Sequence, residues 1–222
     1  GWLYQFYIAE KKDEVFDGIK KNKKVTPENI PAATQLFTPN WIVRYMVQNS
    51  LGRLWKQNHP DSKLAMEYYI EPETKESDYL KISSPKELKI CDPACGSGHI
   101  LVYAFDLLYE IYKEAGFSDD DDIIENILTH NLYGIEIDER ASELASFALT
   151  MKAAAKSSSK RRFFKKQTSP NICKLEVIKF ESDEIKSYMD AVDRDLFTSD
   201  LQETLKQFEE ADNFGSLIVP KV

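Results

Sequence analysis

The chain has 222 residues and a formal net charge of -8, which is enough length for one principal domain with a substantial core and an appendage. Its composition is that of a globular protein, and the absence of any apolar run of membrane-spanning length predicts no membrane association. The negative charge disfavours the whole chain as a binder of polyanions, so any nucleic-acid contact must be local. Three cysteines without a paired framework predict free thiols and a cytoplasmic protein.

The first third of the chain predicts helices separated by polar loops. An amphipathic helix is expected over residues 2–21, and its apolar start without an initiating methionine indicates a chain cut from a longer one. Thr38 is placed to cap a second helix, with Pro39 at its first position and its end near Lys56. Residues 57–86 contain three prolines and are expected to form an irregular loop.

From residue 88 onward, strands and helices alternate. A strand ending at Asp92 is followed by a helix from Ile100 to about Ala115, which Gly116 ends. The next elements are expected to be a helix to about residue 130, a strand at 132–138 and a helix from 139 to about 155 that Asp138 caps. After a mobile loop at 156–170, we expect a strand at 172–180, helices at about 182–192 and 199–211, and a strand at 215–219. This alternation predicts a doubly wound parallel α/β sheet.

The apolar spacing also predicts which side chains form the core. The helix after Ile100 should bury one face, made of Leu101, Ala104, Phe105, Leu108, Ile111 and Tyr112. The helix after Asp138 should bury a face that includes Leu144, Phe147, Ala148 and Met151. Cys91 is also expected to pack in the core.

The loop between Asp92 and Gly98 reads Asp-Pro-Ala-Cys-Gly-Ser-Gly. Ligands of parallel sheets bind outside the carboxyl ends of the strands, so this loop and the next strand's acidic end, at Glu136 and Asp138, should face one crevice. A dinucleotide fingerprint would need a third glycine where Leu101 stands, so the loop suits a ligand without a diphosphate. With Asp92 as an acceptor and Glu136 placed to hold ribose hydroxyls, the pattern predicts S-adenosylmethionine as the cofactor.

Three motifs, in this order, resemble those of one family. They are Gln-Leu-Phe-Thr-Pro at 35–39, the loop at 92–98, and Tyr-Gly-Ile-Glu-Ile-Asp at 133–138. Together they resemble the adenine-specific DNA methyltransferases of restriction and phage-defence systems, most closely the PglX-type enzymes of BREX defence and related fused restriction-methylation enzymes. The resemblance implies an incomplete, Rossmann-like methyltransferase fold over residues 34–222. Residues 1–33 would be a helical segment that continues a missing upstream region.

The resemblance implies a role for each residue of the cofactor site. Residues 37–39 would close over the methionine end of the cofactor, and Asp92 would accept from its amino group. The backbone of residues 94–98 would line its carboxylate, and Glu136 would hold the ribose. The expected cofactor-binding set is Phe37, Thr38, Pro39, Asp92, Pro93, Ala94, Cys95, Gly96, Ser97, Gly98, Glu136, Ile137 and Glu176.

Two members of this set concern the adenine of the cofactor. Ile137 would pack on the adenine face, and Glu176 is the candidate for its edge, although the sequence around Glu176 matches the family pattern weakly. The distance along the chain from Gly98 to Glu136 is longer than a compact crossover needs. We assign the excess to the extra helix after Asp122.

Catalysis in this family requires a tetrapeptide of the Asn-Pro-Pro-Tyr type, and this sequence contains no Pro-Pro pair. The family's Asn binds the target amine while the Tyr stacks on an adenine flipped out of double-stranded DNA. We therefore expect no catalytic residue in this chain and no methyl transfer by the chain alone. The parent protein would methylate the exocyclic amino group of adenine in DNA.

The sequence is also compatible with other functions. The chain could instead be a non-catalytic, methyltransferase-like module that assembles with other defence-system subunits, or part of an enzyme that acts on protein or a small molecule. The acidic run at 119–122 is typical of a helix cap, and the scattered histidines and cysteines predict no metal site. The basic stretch at 156–166 is a candidate DNA contact, but it follows a crossover helix and so lies away from the crevice.

Overall fold

The computed structural model describes residues 2–24, 26, 29, 38–73, 78–166, 168–176, 181, 183, 184, 187, 207 and 208. Within this part the α-helices are α1 Trp2–Lys20, α2 Asn40–Val47, α3 Arg53–Asn58, α4 His99–Glu114, α5 Asp120–Asn126, α6 Glu139–Lys156 and α7 Lys160–Lys166. A 3-10 helix covers Pro85–Glu87, and π-helical turns cover Gln48–Gly52 and Ile127–Asn131. The strands are β1 Ile90–Asp92, β2 Leu132–Glu136 and β3 Asn171–Lys174. The expected helices at 182–192 and 199–211, the strand at 215–219 and residues 35–37 lie outside the described residues, apart from single positions. None of the described helices is both long and apolar enough to cross a membrane.

The three strands form a parallel sheet in the order β1-β2-β3. This confirms a parallel α/β arrangement, with strands shorter than predicted and β3 described only to Lys174. The crossover helices α4 and α6 pack against each other and both contact β2. On the opposite face of the sheet Cys91 and Cys173 are exposed, so the expectation that Cys91 packs in the core is wrong. All three cysteines are free thiols, as predicted.

Helix α4 is the centre of the hydrophobic core. All six side chains predicted for its apolar face are buried: Leu101, Ala104, Phe105, Leu108, Ile111 and Tyr112. Their spacing of three and four residues places them on one face, which packs against α2 and α6 as well as the sheet. Because α4 begins directly after the loop at 93–98, this packing fixes the loop at the carboxyl end of β1.

The buried face of α6 differs from the prediction. Phe147 and Met151 are 62% and 46% exposed, whereas Ala145 and Leu149 are fully buried. Ala145 faces inward because α6 approaches Gly98, at the end of the loop before α4, at backbone contact distance, where a large side chain does not fit. The complete set of residues buried on α6 is Ala141, Ser142, Ala145, Leu149, Ala153 and Ala154.

Helices α2 and α3 run on as one helix through a π-helical turn at Gln48–Gly52. The extra residue of that turn places Gln48 in the interior, where its amide donates to Tyr103 Oη at 2.6 Å and accepts from the Tyr68 N–H at 2.6 Å. The predicted start of this helix is wrong by one residue. Pro39 has an extended backbone and occupies the cap position itself, so the Thr38 side chain makes no capping hydrogen bond.

The stretch predicted as a mobile loop at 156–170 contains helix α7. The Asp121 carboxylate accepts hydrogen bonds from the Ser157 and Ser158 hydroxyls, at 2.6 and 2.7 Å, and also pairs with Arg162. These contacts dock the segment on the start of α5. The sequence pattern of serines and lysines could not reveal this partner, because Asp121 lies 36 residues earlier in the chain.

Candidate functional site

The candidate site lies where β1 ends and the loop at 93–98 begins. Asp92 is only 8% exposed, and its Oδ1 accepts one long hydrogen bond, 3.3 Å from the Ala94 N–H. The loop is tied to the neighbouring strand because the Cys95 N–H donates to Ile135 O at 2.9 Å. A buried carboxylate is thus held in place with most of its acceptor capacity unused by the described residues.

Glu136, at the end of β2, connects two backbone segments at this point. Its Oε2 accepts from the Gly96 N–H at 2.6 Å, and its Oε1 accepts from the N–H groups of Ile137 and Asp138, both at 3.0 Å. The structure therefore brings the Asp92–Gly98 loop and the end of β2 together, as the parallel topology predicts. Oε1 already accepts two hydrogen bonds, so the acceptor capacity that Glu136 retains for a ligand hydroxyl is on Oε2.

The electrostatics of Asp92 follow from this geometry. Burial raises the pKa of Asp92 above its usual value, the Ala94 N–H opposes that shift, and the nearby negative charge of Glu136 adds to it. The ionised form of Asp92 is therefore costly in the ligand-free chain. A bound ammonium group would relieve both the missing hydrogen bonds and the repulsion between the two acids.

The two glycines of the loop have distinct functions in the structure. Gly96 has a φ of 53°, and a Cβ built on it would meet nothing within 4 Å, so its backbone borders open space. Gly98 has a φ of 80° and lies against Ala145 of α6. One glycine leaves room over the loop, and the other permits close packing beneath it.

Cys95 is a packing residue in this loop. It is 6% exposed, and its Sγ lies close to Gly134, where an added Cβ would stand 3.0 Å from the sulfur. Burial, together with the negative charges of Asp92 and Glu136, raises the pKa of Cys95 to about 12. The thiol is therefore protonated at neutral pH and is not a nucleophile.

The other predicted site residues occupy different surroundings. Ser97 is 7% exposed, and its hydroxyl has no hydrogen-bond partner among the described residues, whereas Ile137 is 46% exposed. The exposed Glu176 follows Leu175, whose N–H donates to Glu136 O at 2.8 Å. Thr38 and Pro39 precede α2, which packs on α4, and Phe37 lies outside the described residues.

His99 is a residue of this region that the sequence reasoning did not select. It is the first residue of α4, directly after Gly98, and burial lowers its pKa. The signal that could have found it is its position at the helix start next to the glycine loop, where a positive charge is also disfavoured by the helix dipole. Within the described part of the chain, no group of three or more His, Cys, Asp or Glu side chains is arranged to hold a metal ion.

The chain is similar in sequence to proteins of one class. Residues 74–176, which span β1, β2, β3 and the candidate site, match the family described as MmeI, DNA-methyltransferase domain. The chain is 47% identical, over 83% of its length, to the adenine-specific methyltransferase BrxX of Escherichia coli O9:H4 (strain HS). It is 38% identical, over 98% of its length, to the adenine-specific methyltransferase PglX of Lacticaseibacillus casei (strain Zhang).

These matches confirm the resemblance found in the sequence. The chain is homologous to a segment of proteins named adenine-specific methyltransferases. It spans 15% of the length of the first relative and 19% of the length of the second. The activity of the longer proteins is therefore only proposed for this chain.

Proposed function

We propose that the chain is the S-adenosylmethionine-binding portion of a protein that methylates the exocyclic amino group of adenine in DNA, in restriction-modification or phage defence. The observation that carries this proposal is the buried carboxylate of Asp92, held with one long hydrogen bond beside Glu136 at the glycine loop. A cationic partner stabilises the ionised form of such a group. The names of the homologous proteins indicate which cation-bearing ligand to test.

The residues present fit this cofactor. The Asp92 carboxylate would accept from its ammonium group, Glu136 would accept from its ribose hydroxyls, and the open space at Gly96 leaves room against the loop. The high pKa of Cys95 keeps a competing thiolate away from an electrophilic ligand. When bound, S-adenosylmethionine would supply the methyl group carried on its sulfonium.

Several finer assignments belong to the same proposal. The three-stranded parallel sheet would be part of a doubly wound, Rossmann-like methyltransferase fold in a cytoplasmic protein. Phe37, Thr38 and Pro39 would cover the methionine end of the cofactor, and Ile137 and Glu176 would contact its adenine. Double-stranded DNA and other defence-system subunits would be partners of the longer protein.

Catalysis itself would require a motif that this sequence does not contain. No Pro-Pro pair occurs in the sequence, so the Asn-Pro-Pro-Tyr type of motif that binds a flipped adenine is absent from it. The chain alone, mixed with duplex DNA and labelled cofactor, should transfer no methyl group. Measurable transfer would contradict this part of the proposal.

Calorimetric titration with S-adenosylmethionine tests the site directly. Asp92→Asn and Glu136→Gln should each weaken binding by about tenfold or more, because each removes a charge-assisted hydrogen bond. Asp61→Asn and Glu143→Gln change equally charged but exposed side chains and serve as matched controls. Unchanged affinity in both site variants would refute the site, and a folded chain without any binding would favour a non-catalytic interaction module.

A further inference from the structure

Helix α7 carries five Lys and Arg side chains in its seven residues. Two of them point toward α5: Arg162 pairs with Asp121, and Lys166 pairs with Glu125. Phe163, between them in sequence, packs against the hydrophobic core. The positive charges of this inner face are therefore paired, and Phe163 anchors the face in the core. These contacts explain how a short, highly charged helix packs on the protein.

Among the residues that the structure describes, four acidic side chains lie on that inner side of α7. Asp119, Asp121, Asp122 and Glu125 line a single cleft together with Arg162, Phe163 and Lys166. Asp119 also caps α5, accepting from the N–H groups of Asp121 and Asp122. The described acids that line this cleft are thus gathered on one face of the helix.

The outer face of α7 consists of Lys160, Arg161, Phe164 and Lys165. All four side chains are exposed, and Phe164 is 52% exposed. None of the three cations has an ion-pair or hydrogen-bond partner in the part of the chain that the structure describes. Arg161 and Lys165 are one helical turn apart, so both charges project from the same side. The outer face is a basic surface on a chain whose net charge is -8.

We propose that this outer face of α7 binds the phosphate backbone of duplex DNA. The assignment rests on the proposed function, since it takes its partner from a DNA-methylating role. Three cations without a partner among the described residues surround an exposed aromatic ring, and this matches the surfaces that contact phosphate and sugar. Because α7 immediately precedes β3, the surface adjoins the amino ends of the strands, away from Asp92 and Glu136. It grips the backbone and does not read bases.

A charge-matched pair of triple variants tests this surface. The first carries Lys160→Gln, Arg161→Gln and Lys165→Gln, and the control carries Lys21→Gln, Lys23→Gln and Lys24→Gln, which are also exposed. Both lower the net charge by three. Duplex affinity is measured by fluorescence anisotropy across a salt series, with the fold checked by circular dichroism.

The α7 variant should lose about tenfold or more in duplex affinity at low salt, and its plot of log affinity against log salt should flatten by about 2.7, since each phosphate contact contributes about 0.9. The loss should be the same for duplexes of any sequence. Equal losses in both variants, no loss in either, or no duplex binding by the unmodified chain would each overturn the proposal. Tighter binding of a polyglutamate peptide than of DNA by the same face would overturn it in favour of an acidic protein partner.

The same samples separate this inference from the proposed function. Titration with S-adenosylmethionine should give the same affinity for the α7 variant as for the unmodified chain, because α7 lies away from the loop. Cofactor binding without α7-dependent DNA binding would refute only the inference. DNA binding through α7 without cofactor binding would refute only the proposed cofactor site.

Discussion

Gly98 lies so close to Ala145 that a Cβ built on the glycine would stand 3.1 Å from both the Cα and the Cβ of Ala145. The glycine also has a φ of 80°, in the left-handed region that disfavours other residues. The candidate site is therefore supported from below by contact between two backbones. Any side chain at this position must displace helix α6 or the loop.

Gly98→Ala should lower the free energy of unfolding by about 3 kcal/mol, because it combines backbone strain with overpacking. Gly116→Ala is the matched control: its φ is 90°, but a Cβ there would meet nothing within 4 Å. The control should cost only about 1 kcal/mol. Urea denaturation measures both, and equal losses would show that the contact with Ala145 contributes nothing.

The contact between Gly98 and Ala145 explains why some features of helix α6 could be predicted from the sequence and others could not. Its length and its cap at Asp138 were predictable from local patterns, and Asp138 does accept from the Ala141 N–H at 3.0 Å. The buried face of α6 was not predictable, because hydrophobicity alone favours the burial of Phe147 and Met151 over the burial of alanine. The approach of Gly98 to Ala145 is a tertiary feature, and it favours a small side chain at this inward-facing position.

Asp92→Asn should stabilise the ligand-free chain while removing affinity for S-adenosylmethionine. Asparagine keeps the acceptor for the Ala94 N–H but removes the buried charge, and we expect a gain of about 1 kcal/mol in the free energy of unfolding. The gain depends on pH because the folded pKa of Asp92 is raised. It should be absent below about pH 3.9, where the unfolded chain is protonated, and complete above the folded pKa.

Thermal unfolding from pH 3 to 8 checks this prediction, with Asp61→Asn as the exposed control. The melting temperatures of Asp92→Asn and the unmodified chain should converge at the acidic end and separate as the pH rises. A variant that is less stable at neutral pH would mean that Asp92 is a structural acceptor. The buried carboxylate of Asp92 would then no longer support a cation-binding site.

Asn131 is the polar residue on which the core around β1 depends. It is fully buried, its Nδ2 donates to Pro85 O at 2.8 Å and to Leu88 O at 2.6 Å, and its Oδ1 accepts from the Tyr112 hydroxyl at 2.9 Å. Asn131→Leu should cost about 3 kcal/mol or more, since three buried groups lose their partner. Asn58→Leu, at a partly exposed site with similar backbone contacts, should cost less.

A double-mutant cycle that combines Asn131→Leu with Tyr112→Phe measures how much of the stability cost at Asn131 comes from its hydrogen bond with Tyr112. The two substitutions should be non-additive, with a coupling of about 1 kcal/mol, because they remove the two ends of one buried hydrogen bond. Denaturant titration of the four chains provides the numbers. Additive effects would indicate that the Tyr112 hydroxyl has another partner when Asn131 is replaced.

Glu114 fastens the loop at 59–64 to the end of α4. Its carboxylate accepts from Trp55 Nε1 at 2.7 Å, from Ser62 Oγ at 2.7 Å and from the Lys63 N–H at 2.6 Å. Burial raises the pKa of Glu114, but these hydrogen bonds outweigh burial and the pKa lies below its usual value. The stabilisation is therefore present above the unfolded pKa and is lost as the pH falls through the folded one.

Glu114→Gln should lower the free energy of unfolding at pH 7 by about 1 kcal/mol or less, because Glu114 is exposed and solvent screens its charge. The difference from the unmodified chain should disappear in acid. Tryptophan fluorescence during unfolding follows the change, since Trp55 is one of the donors. A difference that persists at pH 3 would show that the effect is steric.

Much of the candidate site could be predicted because it depends on local order along the chain. Strand, glycine loop and helix follow from short patterns, and parallel topology brings the end of β2 to the loop. The specific bond between Glu136 and the Gly96 N–H could not be predicted, since it joins residues 40 positions apart. Helix α7 was missed for the same reason, because its partner Asp121 is remote in sequence.

Asp121→Asn should loosen α7 without changing the cofactor site. Hydrogen bonds from Ser157 and Ser158 and the pairing with Arg162 hold the pKa of Asp121 well below its usual value, so the ionised carboxylate stabilises this docking at neutral pH. The amide protection factors of residues 160–166, which relate the observed exchange rate to the intrinsic rate at the same pH, should be smaller in the variant. They should also fall in the unmodified chain as the pH drops below the usual aspartate range. Asp122→Asn is the neighbouring control, because its carboxylate makes no contact with Ser157 or Ser158. Equal protection of α7 in both variants would show that the packing of Phe163, and not the Asp121 carboxylate, holds the helix in place.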